Sequence, residues 1–128
     1  MKFASTRLVA ADIKAMVGFY EMVTGQTAEW LAPVFAEIVT PSATLAIGSA
    51  ETVALFKEGS AEAGANRTAI IEFQVEDVDS LSESLGDPSI ERVMAPTDMP
   101  WGNRSMLLRD PDGNLVNVFA PVRKAVGA

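Results

Sequence analysis

The fold is decided by a stretch that occurs twice in the chain, LVAADI at residues 8–13 and FQVEDV at residues 73–78. In each copy a short apolar strand pattern runs into an aspartate, and the two aspartates, Asp12 and Asp77, lie 65 positions apart. Aspartate is favoured at helix N-caps because its carboxylate accepts from the free amides of the first turn. Each stretch therefore predicts a strand followed by a helix that begins directly after the aspartate.

Both predicted helices carry apolar residues at helical spacing on one face. Gly25 and Gly86 follow these faces and are predicted to end the two helices, because glycine readily adopts the left-handed conformation of a helix C-terminus. The apolar positions are Ile13, Met16, Val17, Tyr20 and Val23 in the first helix, and Val78, Leu81 and Leu85 in the second.

Three strand-like segments follow each helix. They lie at 28–31, 35–40 and 43–49 in the first half, and at 90–95, 103–109 and 114–121 in the second. The pattern at Thr52–Phe56 allows one more short strand. Pro41-Ser42 and Asp110–Asn114 are typical turn sequences. Matching the last strands of the two halves needs an offset of 71, so the second half has about six extra residues, which we place in the loop Pro96–Gly102.

The chain therefore reads as βαβββ, a linker at about 57–66, and a second βαβββ. We predict an α+β fold in which two modules, at about 1–56 and 67–121, form a half-open curved mixed sheet with a ligand cavity on its concave side. The whole of residues 1–128 is predicted to be a single domain.

Composition excludes several classes of function. The formal net charge is -7 without a cluster of Lys and Arg, which argues against nucleic acid as a partner. No apolar run is long enough to span a membrane. The chain has no Cys and no His, which excludes disulfides, zinc–thiolate sites and His-dependent catalytic triads. The simplest interpretation is a cytoplasmic protein.

The repeated segments, together with PWGNR at 100–104 and DPDGN at 110–114, resemble the vicinal oxygen chelate superfamily. That superfamily includes glyoxalase I, extradiol dioxygenases, fosfomycin-resistance enzymes and bleomycin-resistance proteins. The resemblance covers nearly the whole chain and implies the fold much more strongly than any one activity.

The resemblance also implies where a metal would be bound. The superfamily's metal enzymes carry ligands at four strand positions, which here are Ser5, Ala46, Ile70 and Asn117. Ala46 and Ile70 have no donor atom, and Ser5 and Asn117 offer only neutral oxygens, whereas transition metals prefer imidazole and carboxylate. We therefore expect no metal at this site and no other cofactor.

Strand alternation predicts which side chains face the cavity, given that position 70 does. The predicted wall mixes apolar surface with separated polar groups, as small-molecule sites do. Its members are Ser5, Arg7 and Val9 on the first strand, Thr44, Ala46 and Gly48 on the fourth, Ile70, Glu72 and Gln74 on the fifth, and Leu115, Asn117 and Phe119 on the last.

Glu72 has two interpretations. A carboxylate at an inward strand position is costly unless it is hydrated, paired or functional. In the first, it forms an ion pair with Arg7 or lies at a hydrated rim. In the second, it contacts a ligand or acts as a general base.

Trp101 lies in the predicted inserted loop, which in similar drug-binding proteins borders the ligand groove. It either stacks on a planar or cationic ligand or packs at a dimer interface or the hairpin base. Arg104 either binds an anionic group or forms a surface ion pair.

Three functional hypotheses follow. The first is a metal-independent small-molecule-binding protein of the bleomycin-resistance type, a homodimer whose acidic charge suits a cationic drug or metabolite. The second is a cofactor-free isomerase or lyase that uses Glu72 as general base, with Arg7, Gln74 or Asn117 holding an oxyanion; it requires a buried Glu72 with a raised pKa. The third is a vestigial homologue with a structural or regulatory role.

Overall fold

The computed structural model describes residues 1–122. Two compact units are present: Met1–Arg67 with Pro111–Gly113, and Thr68–Asp110 with the chain from Asn114 onward. Each unit contains a four-stranded mixed sheet and helices that pack on it. The prediction of an α+β fold built from two βαβββ modules is confirmed.

The first unit begins with strand β1 and helix α1, as the segment at 8–13 predicts. The sheet order is β1-β4-β3-β2, in which β1 and β4 are parallel and the other neighbours are antiparallel. Helix α1 packs on β3 and β4. The elements are β1 (Thr6–Ala10), α1 (Ile13–Thr24), β2 (Glu29–Ala32), β3 (Phe35–Val39), β4 (Thr44–Ser49) and α2 (Glu51–Phe56).

The second unit repeats this topology. Its sheet order is β5-β8-β7-β6, again with a parallel first pair, and its helix α3 packs on β6, β7 and β8. The elements are β5 (Ile70–Gln74), α3 (Val78–Ser84), β6 (Glu91–Asp98), β7 (Asn103–Arg109) and β8 (Leu115–Pro121).

The two aspartates are N-caps, as predicted. Asp12 Oδ1 accepts from the Ala15 amide at 3.2 Å, and Asp77 Oδ1 accepts from the Ser80 amide at 3.0 Å. Both cap residues have extended backbone, with φ of -126° and -145°. The chain therefore leaves its strand and enters the helix at the position that the carboxylate marks.

The strand registers confirm the offsets read from the sequence. Arg7 pairs with Ala46 in the first unit, and Glu72, 65 positions after Arg7, pairs with Asn117, 71 positions after Ala46. The helix-facing side of each sheet is its core, and Ile47 and Val118, at equivalent positions, are both completely buried.

The extra residues of the second unit lie mostly in the β6–β7 hairpin. Glu29 pairs with Glu37 in the first unit, while the equivalent Met94 pairs with Leu107, which adds five residues. The Asp110–Asn114 turn adds the sixth. The prediction that Pro96–Gly102 is a loop is partly wrong: β6 runs to Asp98 through two register shifts, since the insertion lengthens the strands and leaves only 99–102 as the connection.

Two other local predictions are wrong. Thr52–Phe56 lies in helix α2 and not in a strand, because the chain turns at Ala50 and Thr52 Oγ1 donates to the Ser49 carbonyl at 2.7 Å. Gly25 ends α1 with φ of +69°, as predicted, but Gly86 does not cap α3, which ends at Ser84 with Leu85 as C-cap. Leu85 is buried, so side-chain packing ends this shorter helix.

Over the described part of the chain, no helix combines the length and the apolar character that crossing a membrane would require.

Candidate functional site

The open face of the second unit's sheet carries four of the predicted site residues. Glu72 and Gln74 lie on β5, and Asn117 and Phe119 pair with them from β8. All four side chains are exposed or half-buried, whereas Val118, on the other side of β8, is completely buried. The alternation predicted for β5 and β8 is therefore confirmed, and this face of the sheet is turned away from α3.

Glu72 and Asn117 form a side-chain pair at the centre of this face. Asn117 Nδ2 donates to Glu72 Oε2 at 2.8 Å. The same amide presents its Oδ1 as a buried acceptor that has no hydrogen-bond partner among the described residues. An unsatisfied buried acceptor costs free energy, and native structures leave few of them. The pair therefore offers acceptor capacity that the protein itself does not use.

The neighbours of the pair are apolar or weakly polar. On β7, Leu107 pairs with Asn117 and Ser105 pairs with Phe119. Met94 of β6 pairs with Leu107 and extends the same row. This surface gives a ligand apolar contact area around one polar centre, which is the usual composition of a small-molecule site.

The requirement that Glu72 be buried, on which a general-base role depended, is not met. The side chain is exposed. The physical reason is that β5 is the outer strand of its four-stranded sheet, with β8 on one side only.

Arg7 lies in the first unit and has aromatic partners there. Its Cζ atom lies over the Phe35 ring at 4.5 Å from the centroid and over the Phe56 ring at 5.2 Å. Sequence reasoning missed both rings. Phe35 was detectable, because it alternates onto the same face as Arg7, but Phe56 was not, because its segment was interpreted as a strand.

Arg104 lies on the helix-facing side of β7, opposite buried Ala120, and not on the face that carries Glu72. It donates from Nε to Asp79 at 2.8 Å and from Nη1 to Asp98 at 3.0 Å. The hydrogen bond from Arg104 holds the pKa of Asp79 below its ordinary value, and the same bond raises the pKa of Arg104. Of the two predicted roles, the structure supplies the surface ion pair.

A cavity of about 300 Å³ lies beside this ion pair. It is built entirely from the second unit, between the start of α3 and the end of β8. Its lining residues are Glu76, Asp77, Val78, Asp79, Asp98, Arg104, Ala120, Pro121 and Val122. Three of its acidic residues have partners, since Asp79 and Asp98 bind Arg104 and Asp77 caps α3, so the cavity lies beside the capping arrangement of this helix.

Trp101 lies in the short β6–β7 connection and is 71% exposed. The connection turns at Gly102, whose φ of +97° lies in the region that glycine favours. The structure therefore presents the indole at the end of the hairpin, and not against the Glu72–Asn117 pair.

The residues at the four metal-ligand positions implied by the resemblance do not fit a transition metal. Ala46 and Ile70 have no donor atom, and Ser5 and Asn117 offer only neutral oxygens, of which Asn117 Oδ1 is buried. Within residues 1–122, no three or more His, Cys, Asp or Glu side chains come together as a group that could hold a metal ion.

Comparison with known proteins gives one family. The model of the Glyoxalase/Bleomycin resistance protein/Dioxygenase superfamily matches residues 2–118. A curated relative, the uncharacterized protein YraH of Bacillus subtilis (strain 168), is 30% identical over 125 residues, which covers 93% of this chain and 98% of the relative.

Two solved structures have the same fold. A glyoxalase/bleomycin resistance protein/dioxygenase from Nocardioides superposes with a TM-score of 0.75 at 26% identity, covering 100% of this chain and 88% of its own. A glyoxalase/bleomycin resistance protein/dioxygenase family enzyme from Burkholderia phytofirmans PsJN superposes with a TM-score of 0.81 at 20% identity. The match covers 93% of this chain and 98% of the other.

Proposed function

Because the chain belongs to the glyoxalase/bleomycin resistance protein/dioxygenase superfamily, we propose that it binds a small molecule without a metal ion, and that the ligand docks on the open sheet face around Glu72 and Asn117. The observation that carries the proposal is the side-chain pair itself. Among the described residues the exposed Glu72 carboxylate has only the neutral Asn117 amide as its hydrogen-bond partner, and a ligand that donates hydrogen bonds satisfies its remaining acceptor capacity.

The expected ligand is cationic and partly apolar. Glu72 is an exposed carboxylate with one neutral donor as its partner, so it attracts a positive group. Leu107, Met94 and Phe119 lie in the same or the adjacent row and supply apolar contact. A net charge of -7 adds a weak general attraction for cations. Sequestration of a cationic drug or metabolite fits these features.

Binding is favoured over catalysis. The isomerase or lyase hypothesis needs a buried Glu72, and this side chain is exposed on an outer strand. Metal independence rests on the donor set, since two of the four positions used by the superfamily's metal enzymes carry only hydrocarbon side chains.

The proposal includes a homodimer, as the resemblance to drug-binding proteins implies, and a location in the cytoplasm, as the composition favours. Light scattering coupled to size exclusion should give about twice the chain mass of 13.6 kDa. A value of one chain mass, at the concentration used for ligand binding, would contradict this part of the proposal.

The experiment is a thermal-shift titration with bleomycin and a series of alkyl amines, in the presence of EDTA. A ligand at about 100 times its Kd stabilises the folded protein by about 2.7 kcal/mol, which raises the Tm by several degrees. Glu72→Gln should remove most of the shift, since it removes the carboxylate with little change of shape.

Glu83→Gln is the matched control, because it removes the same charge from an exposed position on α3. It should leave the shift unchanged. A shift that appears only after a divalent metal is added would contradict metal independence, and an equal shift in both glutamine variants would contradict the proposed position.

A further inference from the structure

Arg7 of the first unit is held by two aromatic rings. Its guanidinium carbon lies 4.5 Å from the centroid of Phe35 and 5.2 Å from that of Phe56. Both distances are within the range of a cation–π contact, in which the flat face of the guanidinium meets the ring. The N–H donors around the edge of the guanidinium are not used by such a contact.

The three side chains come from three different elements of the first unit, β1, β3 and α2. Arg7 lies on β1 and Phe35 on β3, and both strands pair with β4, which lies between them. The β4 residue beside Arg7 is the small Ala46. Phe35 pairs with Gly48, where an added Cβ would lie 3.6 Å from the ring. The small side chain of Ala46 and the absence of one at Gly48 leave room for the guanidinium and the ring on this face.

Phe56 comes from helix α2. The first turn of the helix is held by Thr52, which is buried and donates to the Ser49 carbonyl. Val53 is also buried, whereas Phe56 is 75% exposed. The helix is therefore anchored at its start, and it carries Phe56 at its free end beside Arg7.

The charge of Arg7 is not neutralised by any carboxylate in the part of the chain that the structure describes. Within residues 1–122 its guanidinium makes no ion pair and no hydrogen bond, although the chain has 17 acidic residues. Glu37 lies on the same sheet face, across Ala46, and does not pair with it. Arg104 shows the usual arrangement for comparison, since it binds two carboxylates.

We infer that Arg7, Phe35 and Phe56 form a binding subsite for an aromatic carboxylate. The planar guanidinium edge matches the two oxygens of a carboxylate and binds them through two parallel hydrogen bonds. The exposed Phe56 ring gives the ligand's own ring a surface to stack on. This subsite stands on different residues and on the opposite charge from the Glu72–Asn117 proposal, and neither depends on the other.

The test is a titration of the ¹⁵N-labelled protein with benzoate, followed by NMR at the Arg7 side chain and at the backbone amides of β1, β3 and α2. Saturable shifts at these positions are expected. Benzamide, which lacks the charge, and cyclohexanecarboxylate, which lacks the aromatic ring, should each bind at least about fivefold more weakly. Equal binding of benzoate and cyclohexanecarboxylate would overturn the aromatic preference.

Variants locate the subsite. Arg7→Gln should weaken benzoate binding by about tenfold or more, and Phe56→Leu by about threefold. Arg67→Gln is the matched control, because it removes one exposed arginine charge from the same unit, and it should bind as the parent does. Arg7→Lys keeps the positive charge but lacks the planar guanidinium edge, so it should still weaken benzoate binding. It replaces Arg7→Gln as the test if that variant does not fold.

Unchanged benzoate affinity in Arg7→Lys and Phe56→Leu would overturn the inference and leave Arg7 as a structural clamp on α2. Shifts that map to Glu72 and Asn117 would also overturn it. Failure of the amine titration described above has no bearing on these readouts, so the two proposals fail separately.

Discussion

The two units share one backbone plan and differ in the chemistry placed on it. In both, the first strand pairs with the last in the same register, and an aspartate caps the helix between them. At the equivalent open-face positions, however, the first unit has Arg7 beside Ala46, and the second has Glu72 beside Asn117. Apolar alternation thus sets the register, and the open-face residues are free to diverge because the core does not depend on them.

The units also differ in how their helices end. Helix α1 has 12 residues and stops at Gly25 in a left-handed conformation, whereas α3 has 7 residues and stops at a buried Leu85. The longer helix buries more side chains, including Met16 and Tyr20. The first unit therefore relies on a helix face for much of its core, whereas the buried side chains of the second lie mostly on β7 and β8.

The largest effect is expected from truncation at equivalent core positions. Ile47→Ala should lower the free energy of unfolding by about 3 kcal/mol and Val118→Ala by about 2 kcal/mol, because each removes completely buried methyl groups and leaves a cavity. Urea denaturation measures both. A loss below about 1 kcal/mol at either site would show that this side of the sheet is not the core of its unit.

A glycine pair tests the different helix ends. Gly25→Ala should cost about 1 kcal/mol, since its φ of +69° is unfavourable for any residue with a Cβ atom. Gly86→Ala should cost nothing or stabilise slightly, because Gly86 has no positive φ and an added Cβ would meet no atom within 4 Å. Thermal unfolding should give a lower Tm for Gly25→Ala than for Gly86→Ala. An equal loss of stability in the two variants would contradict the C-caps assigned to the two helices.

The aspartate caps should behave alike in the two units. Asp12→Ala should cost about 1 kcal/mol, because it leaves the Ala15 amide without its acceptor. Asp12→Ser keeps an acceptor and should recover most of the loss. Chemical denaturation of the same pair at Asp77 extends the comparison, and a neutral alanine substitution at either site would mean that the carboxylate does not stabilise the helix.

The smallest effect should come from the exposed ion pair of the second unit. Arg104 lowers the pKa of Asp79 below its ordinary 3.8, so the stabilisation is fully present above that pH and is lost as pH falls through the lowered value. The Tm difference between parent and Asp79→Asn should therefore be present at pH 7, shrink below about pH 4, and weaken in high salt. A Tm difference that grows as the pH falls would contradict a stabilising ion pair between Asp79 and Arg104.

Most of the fold could be predicted from the sequence, because each element leaves a local signal. The capping aspartates, the apolar faces of the helices and the strand alternation are properties of a few neighbouring residues. The offset of 71 matched Ala46 with Asn117 as equivalent positions of the two halves, and the structure pairs them with Arg7 and Glu72, which are themselves 65 positions apart. The end of α3 and the helix at Glu51–Phe56 were missed, because buried Leu85, Thr52 and Val53 decide them through packing.

The candidate sites were predicted only in part. Alternation could assign Glu72, Gln74, Asn117 and Phe119 to one face, since it needs only the period of a strand. It could not show that Asn117 donates to Glu72, that Arg104 binds two aspartates on the other face, or that Phe56 reaches Arg7.

The sequence by itself determined the repeat, the strand order along the chain, the core faces and the absence of imidazole and carboxylate at the four metal-ligand positions used in the superfamily. Only the tertiary structure decided the partners of the charged side chains. The physical reason is range: caps and alternation act within a few residues, whereas an ion pair or a cation–π contact joins side chains that are distant in sequence and close only after the sheet has formed.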